Sequence, residues 1–142
     1  MYGTAKKYEK FGRERLIKLA KHLQKGKGCG TLGCAIGELP ALFPALWKRG
    51  EKSAPVFGTK PPVLTSWPSE IQSISHAAYF FGIDYILAEM LFLPNEPRPW
   101  ERDRELSNKA THGDFATSIM NFIKWYDPKV QEALEKQERC AA

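Results

Sequence analysis

Cysteine and histidine are scarce in this chain, with three of each among 142 residues. Cys29 and Cys34 lie five positions apart, which is not the Cys-x-x-Cys spacing of a redox motif. No second cysteine pair completes a four-thiolate zinc site, and none of the histidines lies at metal-ligand spacing from another. The sequence therefore does not predict a disulfide framework, and we expect neither a structural metal nor a cofactor.

Long hydrophobic runs are also lacking. The longest apolar stretch, residues 77–94, contains Asp84, Glu89 and a glycine. A membrane span needs about 20 predominantly apolar residues with few or no charges, so we predict two core helices here and no membrane association. The first residues contain two lysines and are not followed by the apolar segment of a signal peptide. Together with the few cysteines, this predicts a protein of the reducing cytoplasm.

Strand patterns are nearly absent, whereas apolar residues recur at helical spacing in several segments. We predict helices over residues 11–24, 31–40, 68–81, 84–93 and 111–126, a helical turn over 45–48, and a weaker, charged helix in the C-terminal segment 128–142. The polar loop 50–66 can form at most a minor hairpin near 55–65, pairing residues 56–57 with 63–64. The fold class is therefore all-α, a single domain over residues 1–142 with about five to six helices.

Individual residues mark the expected helix ends. Gly82 is placed to end the helix over 68–81, and Asp84 to cap the next one. Thr111 and Asp114 resemble a capping box in which Asp replaces Glu. Pro128 lacks a backbone N–H, so we expect it to separate the last two helices.

Positive charge is concentrated at the N-terminus. Residues 1–27 contain nine lysines and arginines and two acids, a net charge of +7, whereas residues 28–142 carry −2. We expect residues 1–10 to be a flexible basic segment that leads into a basic helix. Such a segment suits an acidic protein or, without sequence specificity, a nucleic acid. The candidate binding residues are Lys10, Arg13, Arg15, Lys18, Lys21, Lys25 and Lys27.

The segment 26–37 combines five glycines with two cysteines. The glycine order is not that of a phosphate-binding loop, and a basic helix precedes it where a strand would be needed. Small side chains at these positions favour close helix packing. The alternative is a thiol-dependent enzyme or zinc-binding protein centred on Cys29 and Cys34. Cys34 at a helix start would have a lowered thiol pKa, and His76 is the candidate base.

The run Cys29-Gly30-Thr31-Leu32-Gly33-Cys34-Ala35-Ile36-Gly37 resembles a Cys-Gly-Thr-x-x-Cys-x-x-Gly motif of small uncharacterised bacterial and phage proteins. In those proteins, segments similar to 81–94 and 110–123 follow, so the resemblance covers about two thirds of the chain. It implies a bacterial or phage accessory protein and transfers no catalytic residue. We therefore expect a non-enzymatic helical interaction protein that binds an acidic partner through its basic N-terminal helix.

Overall fold

The computed structural model describes residues 2–25, 35–49, 55–57, 69–93, 97–101 and 111–141. The described elements are α1 (Tyr2–Lys7), a π-helical turn (Tyr8–Gly12), α2 (Arg13–Gln24), a 3₁₀ turn (Ile36–Glu38), α3 (Leu39–Leu42), β1 (Trp47–Arg49), β2 (Pro55–Phe57), α4 (Ser69–Phe81), α5 (Tyr85–Phe92), a second 3₁₀ turn (Pro99–Glu101) and α6 (His112–Ala141). The all-α class is confirmed. Four α-helices of this set have eight residues or more, slightly fewer than expected. None of the described helices has the length and apolar character needed to cross a bilayer.

The N-terminal helix is longer than the sequence predicts. It begins at Tyr2 and runs through the π turn into α2, where we expected a flexible segment over residues 1–10. Ala5 and Tyr8 are buried, as are Leu16 and Leu19 further along. A π turn adds one residue to the helical repeat, which keeps the apolar residues before and after it on the same buried side.

The strand pairing differs from the prediction. Residues 47–49 pair antiparallel with 55–57, with Trp47 opposite Phe57, so the helical turn expected over 45–48 is wrong. Few residues separate the two strands along the chain, which keeps the entropy of closure small, and aromatic and β-branched residues favour strands. The expected partner segment 63–64 lies outside the described residues, as does the first part of the helix expected over 31–40.

Gly82 ends α4, as predicted. Its φ is +67°, its N–H donates to the carbonyl of Tyr79 at 3.3 Å, and the N–H of Ile83 donates to that of Ala78 at 3.0 Å. This is the Schellman pattern, for which glycine is favoured because its backbone enters the left-handed region without strain. Asp84 occupies the N-cap position of α5 with an extended backbone but makes no side-chain capping hydrogen bond.

The capping box at the start of α6 is confirmed. The N–H of Thr111 donates to Asp114 Oδ2 at 2.9 Å, and the N–H of Asp114 donates to Thr111 Oγ1 at 3.2 Å. The break expected at Pro128 is wrong, because α6 continues through it for 30 residues in all. Pro128 is exposed, whereas Tyr126 and Val130 on either side are buried. Packing on both sides of the proline outweighs the loss of one helical hydrogen bond.

The core lies between the N-terminal helix, α4, α5 and α6. Aromatic rings fill it: Phe122 stacks on Tyr126 at 5.0 Å between centroids, and Tyr8 meets Tyr126 edge-on at 4.9 Å. Arg98 is fully buried, and its Nη2 donates to the carbonyls of Leu91 at 3.1 Å and Leu93 at 2.9 Å. It thereby satisfies carbonyls at the C-terminal end of α5 that have no helical partner.

Candidate interaction surface on the N-terminal helix

Most of the candidate binding residues fall within the described part of the N-terminal helix, from Lys10 to Lys25. Lys27, Cys29 and Cys34 lie outside the described residues, so the thiol and zinc hypothesis stays a prediction. His76 lies half-buried in α4, where burial lowers the pKa of its imidazole. In the segments that the structure describes, no three His, Cys, Asp or Glu side chains form a group that could hold a metal ion.

Arg13 joins the N-terminal helix to α6. Its Nε donates to Asp127 Oδ1 at 2.9 Å and its Nη2 to Glu9 Oε2 at 2.7 Å. The buried Tyr8 hydroxyl donates to the same Asp127 oxygen at 3.0 Å. The hydrogen bond to Glu9, together with Asp127, raises the pKa of the guanidinium, while burial and Asp127 raise the pKa of Tyr8. The charge of Arg13 is therefore paired within the fold.

Arg15 joins the same helix to α4. Its Nη1 donates to the carbonyl of Phe80 at 2.8 Å, and its guanidinium carbon lies 4.2 Å from the centroid of the Phe80 ring. Phe80 is in the last turn of α4, where backbone carbonyls lack helical partners and the helix dipole is negative. Arg15 is half-buried, and burial lowers its pKa. It therefore stabilises the helix packing that underlies the surface.

The remaining candidates form an exposed stripe that we call the basic ridge: Lys10, Lys18, Lys21 and Lys25. Their spacings of eight, three and four residues keep them along one side of a helix, and the exposed Glu14 lies between the first two. At about 1.5 Å of rise per residue the ridge is roughly 22 Å long. Arg15, which the sequence includes among the candidate binding residues, does not belong to this ridge because its side chain turns toward α4.

A second group, which we call the cation–aromatic seam, follows the contact of this helix with α4: Lys7, Phe11, Arg15 and Tyr79. Lys7 Nζ lies 3.2 Å from the centroid of the Tyr79 ring, and the Arg15 guanidinium carbon lies 5.0 Å from that of Phe11. Tyr79 is 64% exposed and Phe11 41%. Burial and the Arg15 cation lower the pKa of Lys7.

Sequence reasoning did not identify the seam. The spacing of Lys7, Phe11 and Arg15 by four residues was an available signal, since it places them on one helix face. The expectation of a flexible N-terminus removed Lys7 from consideration. Tyr79 carried no local signal, because its position in the interior of a predicted buried helix favours a core role.

An apolar cleft of about 560 Å³ lies between α1, α5 and α6, with Trp125, Ile86 and Val130 among its lining residues. Among the described lining residues, an acidic side chain, Asp84, and a basic one, Lys129, have opposite formal charges. The charges of the cleft therefore do not favour a partner of one sign, whereas the basic ridge carries four lysines.

No protein-family model, curated protein or solved structure matches the chain. Its own surface chemistry is therefore the basis for assigning a function.

Proposed function

We propose that the protein is a non-enzymatic helical interaction protein that binds the phosphate backbone of nucleic acid through the basic ridge. The observation that carries this proposal is the alignment of four exposed lysines on one side of a helix that is fixed to the fold. Cytoplasmic location and a role as a bacterial or phage accessory protein belong to the same proposal. They are supported by the scarcity of cysteine and by the resemblance around Cys29 and Cys34.

A fixed helix favours such binding, because its backbone is already ordered before a partner arrives. Arg13 holds it to α6 and Arg15 holds it to α4. The ridge lysines need only order their side chains at the phosphates. Lysines bind phosphate as compact charges and do not impose a planar geometry on it. The binding is therefore expected to be independent of sequence, with a Kd on the order of 10⁻⁴ to 10⁻⁶ M at physiological salt.

The test is charge reversal on the ridge. Lys18→Glu with Lys21→Glu should weaken binding of labelled DNA or RNA, measured by fluorescence anisotropy, on the order of tenfold or more at low salt. On duplex DNA, the slope of log K against log salt should also fall by about 0.9 for each phosphate that the variant no longer neutralises. Arg15 is left unchanged, because replacing it by Glu would place a carboxylate against the Phe80 carbonyl and disturb the fold.

The matched control is Lys124→Glu with Lys136→Glu, which reverses two exposed charges on α6 and changes the net charge equally. We expect it to bind nearly as well as the unaltered protein. An equal loss in both double variants would show a response to net charge alone and would contradict binding at the ridge. If neither single-stranded nor duplex nucleic acid binds at about 50 mM salt, the partner is not a nucleic acid. An acidic protein, which the same charges would attract mainly by faster association, would then be the remaining partner.

A further inference from the structure

The seam places exposed aromatic rings beside the basic ridge. Among the described aromatic side chains of α4 and the N-terminal helix, Tyr8, Phe80 and Phe81 are buried. Phe11 and Tyr79 differ, since 41% and 64% of their surfaces are exposed. An exposed aromatic ring offers a flat apolar face to a planar partner.

The rings are surrounded by positive charge. Lys7 Nζ lies 3.2 Å from the centroid of Tyr79, and Lys10 Nζ and the Arg15 guanidinium carbon lie 5.2 and 5.0 Å from that of Phe11. Lys10 is a member of the ridge, so the two surfaces are continuous. Lys7 and Arg15 are close enough for the Arg15 charge to lower the pKa of Lys7. A phosphate placed between these cations would relieve their mutual repulsion.

Resting on the proposed function, we propose that the nucleic acid bound here is single-stranded and that its bases stack on Tyr79 and Phe11 while Lys7 and the basic ridge hold its phosphates. In a duplex the faces of the bases are covered by their neighbours. In a single strand they are open to aromatic side chains, and proteins that bind single strands without sequence preference combine a basic track with such rings. The seam and ridge together supply both parts.

The experiment compares the binding of an oligothymidylate with that of a duplex of the same length. Single-strand binding modules occupy about 4 to 16 nucleotides, and the oligothymidylate is longer than this. We expect tighter binding of the single strand. Tyr79→Leu should weaken that binding on the order of 5- to 100-fold, as expected when one base no longer stacks, and leave duplex binding nearly unchanged. Tyr79→Trp keeps an aromatic face and should restore binding. Phe11→Leu and Phe11→Tyr form a second matched pair with the same expectation.

Photocrosslinking with an oligonucleotide that contains 5-iodouracil locates the contact, and the crosslinked peptide should contain Tyr79 or Phe11. Equal affinity for both nucleic acids, with no effect of Tyr79→Leu or Phe11→Leu, would overturn the stacking inference while leaving phosphate binding by the ridge in place. Absence of binding to either nucleic acid would overturn both.

Discussion

The backbone of the N-terminal helix comes close to that of α4 at Gly12, and Gly12→Ala should destabilise the fold. A Cβ built at Gly12 would lie 1.8 Å from the Phe81 carbonyl oxygen and 2.8 Å from its carbon. Both atoms belong to the backbone, so a side-chain rotation cannot relieve the contact. An ordinary van der Waals contact begins at 3.4 Å, and α4 would have to move by about 1.5 Å to reach it.

Such a movement also lengthens the 2.8 Å hydrogen bond from Arg15 to the carbonyl of Phe80. Overpacking costs about 1–3 kcal/mol, and loss of a hydrogen bond from a charged donor costs about 1.5–3 kcal/mol. Alanine has a higher helix propensity than glycine, which offsets about 1 kcal/mol of this loss of stability. We therefore expect the free energy of unfolding to fall by roughly 1.5–5 kcal/mol. For a domain of this size the corresponding fall in Tm is roughly 5 to 15 °C.

Urea denaturation followed by circular dichroism measures this change, together with thermal melts. Gly113→Ala is the matched control, because among the described residues a Cβ there would meet only Thr111 Oγ1, at 3.6 Å. We expect Gly113→Ala to be neutral or to gain up to about 1 kcal/mol. A Gly12→Ala variant whose free energy of unfolding stays within about 0.5 kcal/mol of the unaltered protein would refute the close approach and, with it, the geometry of the seam.

Two further predictions concern side chains of the fold. Asp127→Asn should lower the free energy of unfolding by about 1 kcal/mol, because Arg13 and Tyr8 both donate to one carboxylate oxygen. A double-mutant cycle with Arg13→Gln checks this prediction. If the two substitutions lower the free energy of unfolding additively, Arg13 and Asp127 do not interact as described. Burial lowers the pKa of His76 from its ordinary value of 6.5. As the pH falls, the imidazole is therefore protonated in the unfolded chain before it is protonated in the folded protein. Stability should therefore decrease as pH falls below about 6.5, and His76→Gln should flatten that dependence in urea titrations; an unchanged slope would rule out this cause.

Local sequence was sufficient to predict the helix ends whose hydrogen bonds join residues only a few positions apart. The capping box joins Thr111 to Asp114, and the Schellman pattern joins Gly82 to residues of the preceding turn. Both depend on side-chain chemistry and backbone freedom at neighbouring positions. The all-α class follows in the same way, because apolar spacing is a property of the chain itself.

Pro128 shows where local rules stop. Its chemistry predicts a helix break, yet α6 continues because Tyr126 and Val130 are buried on either side of it. The buried Arg98 is a similar case. An arginine side chain is normally solvated, and the carbonyls of Leu91 and Leu93 that accept hydrogen bonds from the buried guanidinium of Arg98 are placed by the tertiary structure.

For the candidate site, the sequence determined that the N-terminal helix is basic, and the tertiary structure decided which charges are exposed. Arg13 is bonded to a residue 114 positions away and Arg15 to one 65 positions away. Neither partner can be identified from the composition of the helix. Lys10, Lys18, Lys21 and Lys25 remain exposed in the described part of the structure. The charge of a side chain is set by its own residue type, whereas the exposure of that side chain depends on which distant segments pack against it.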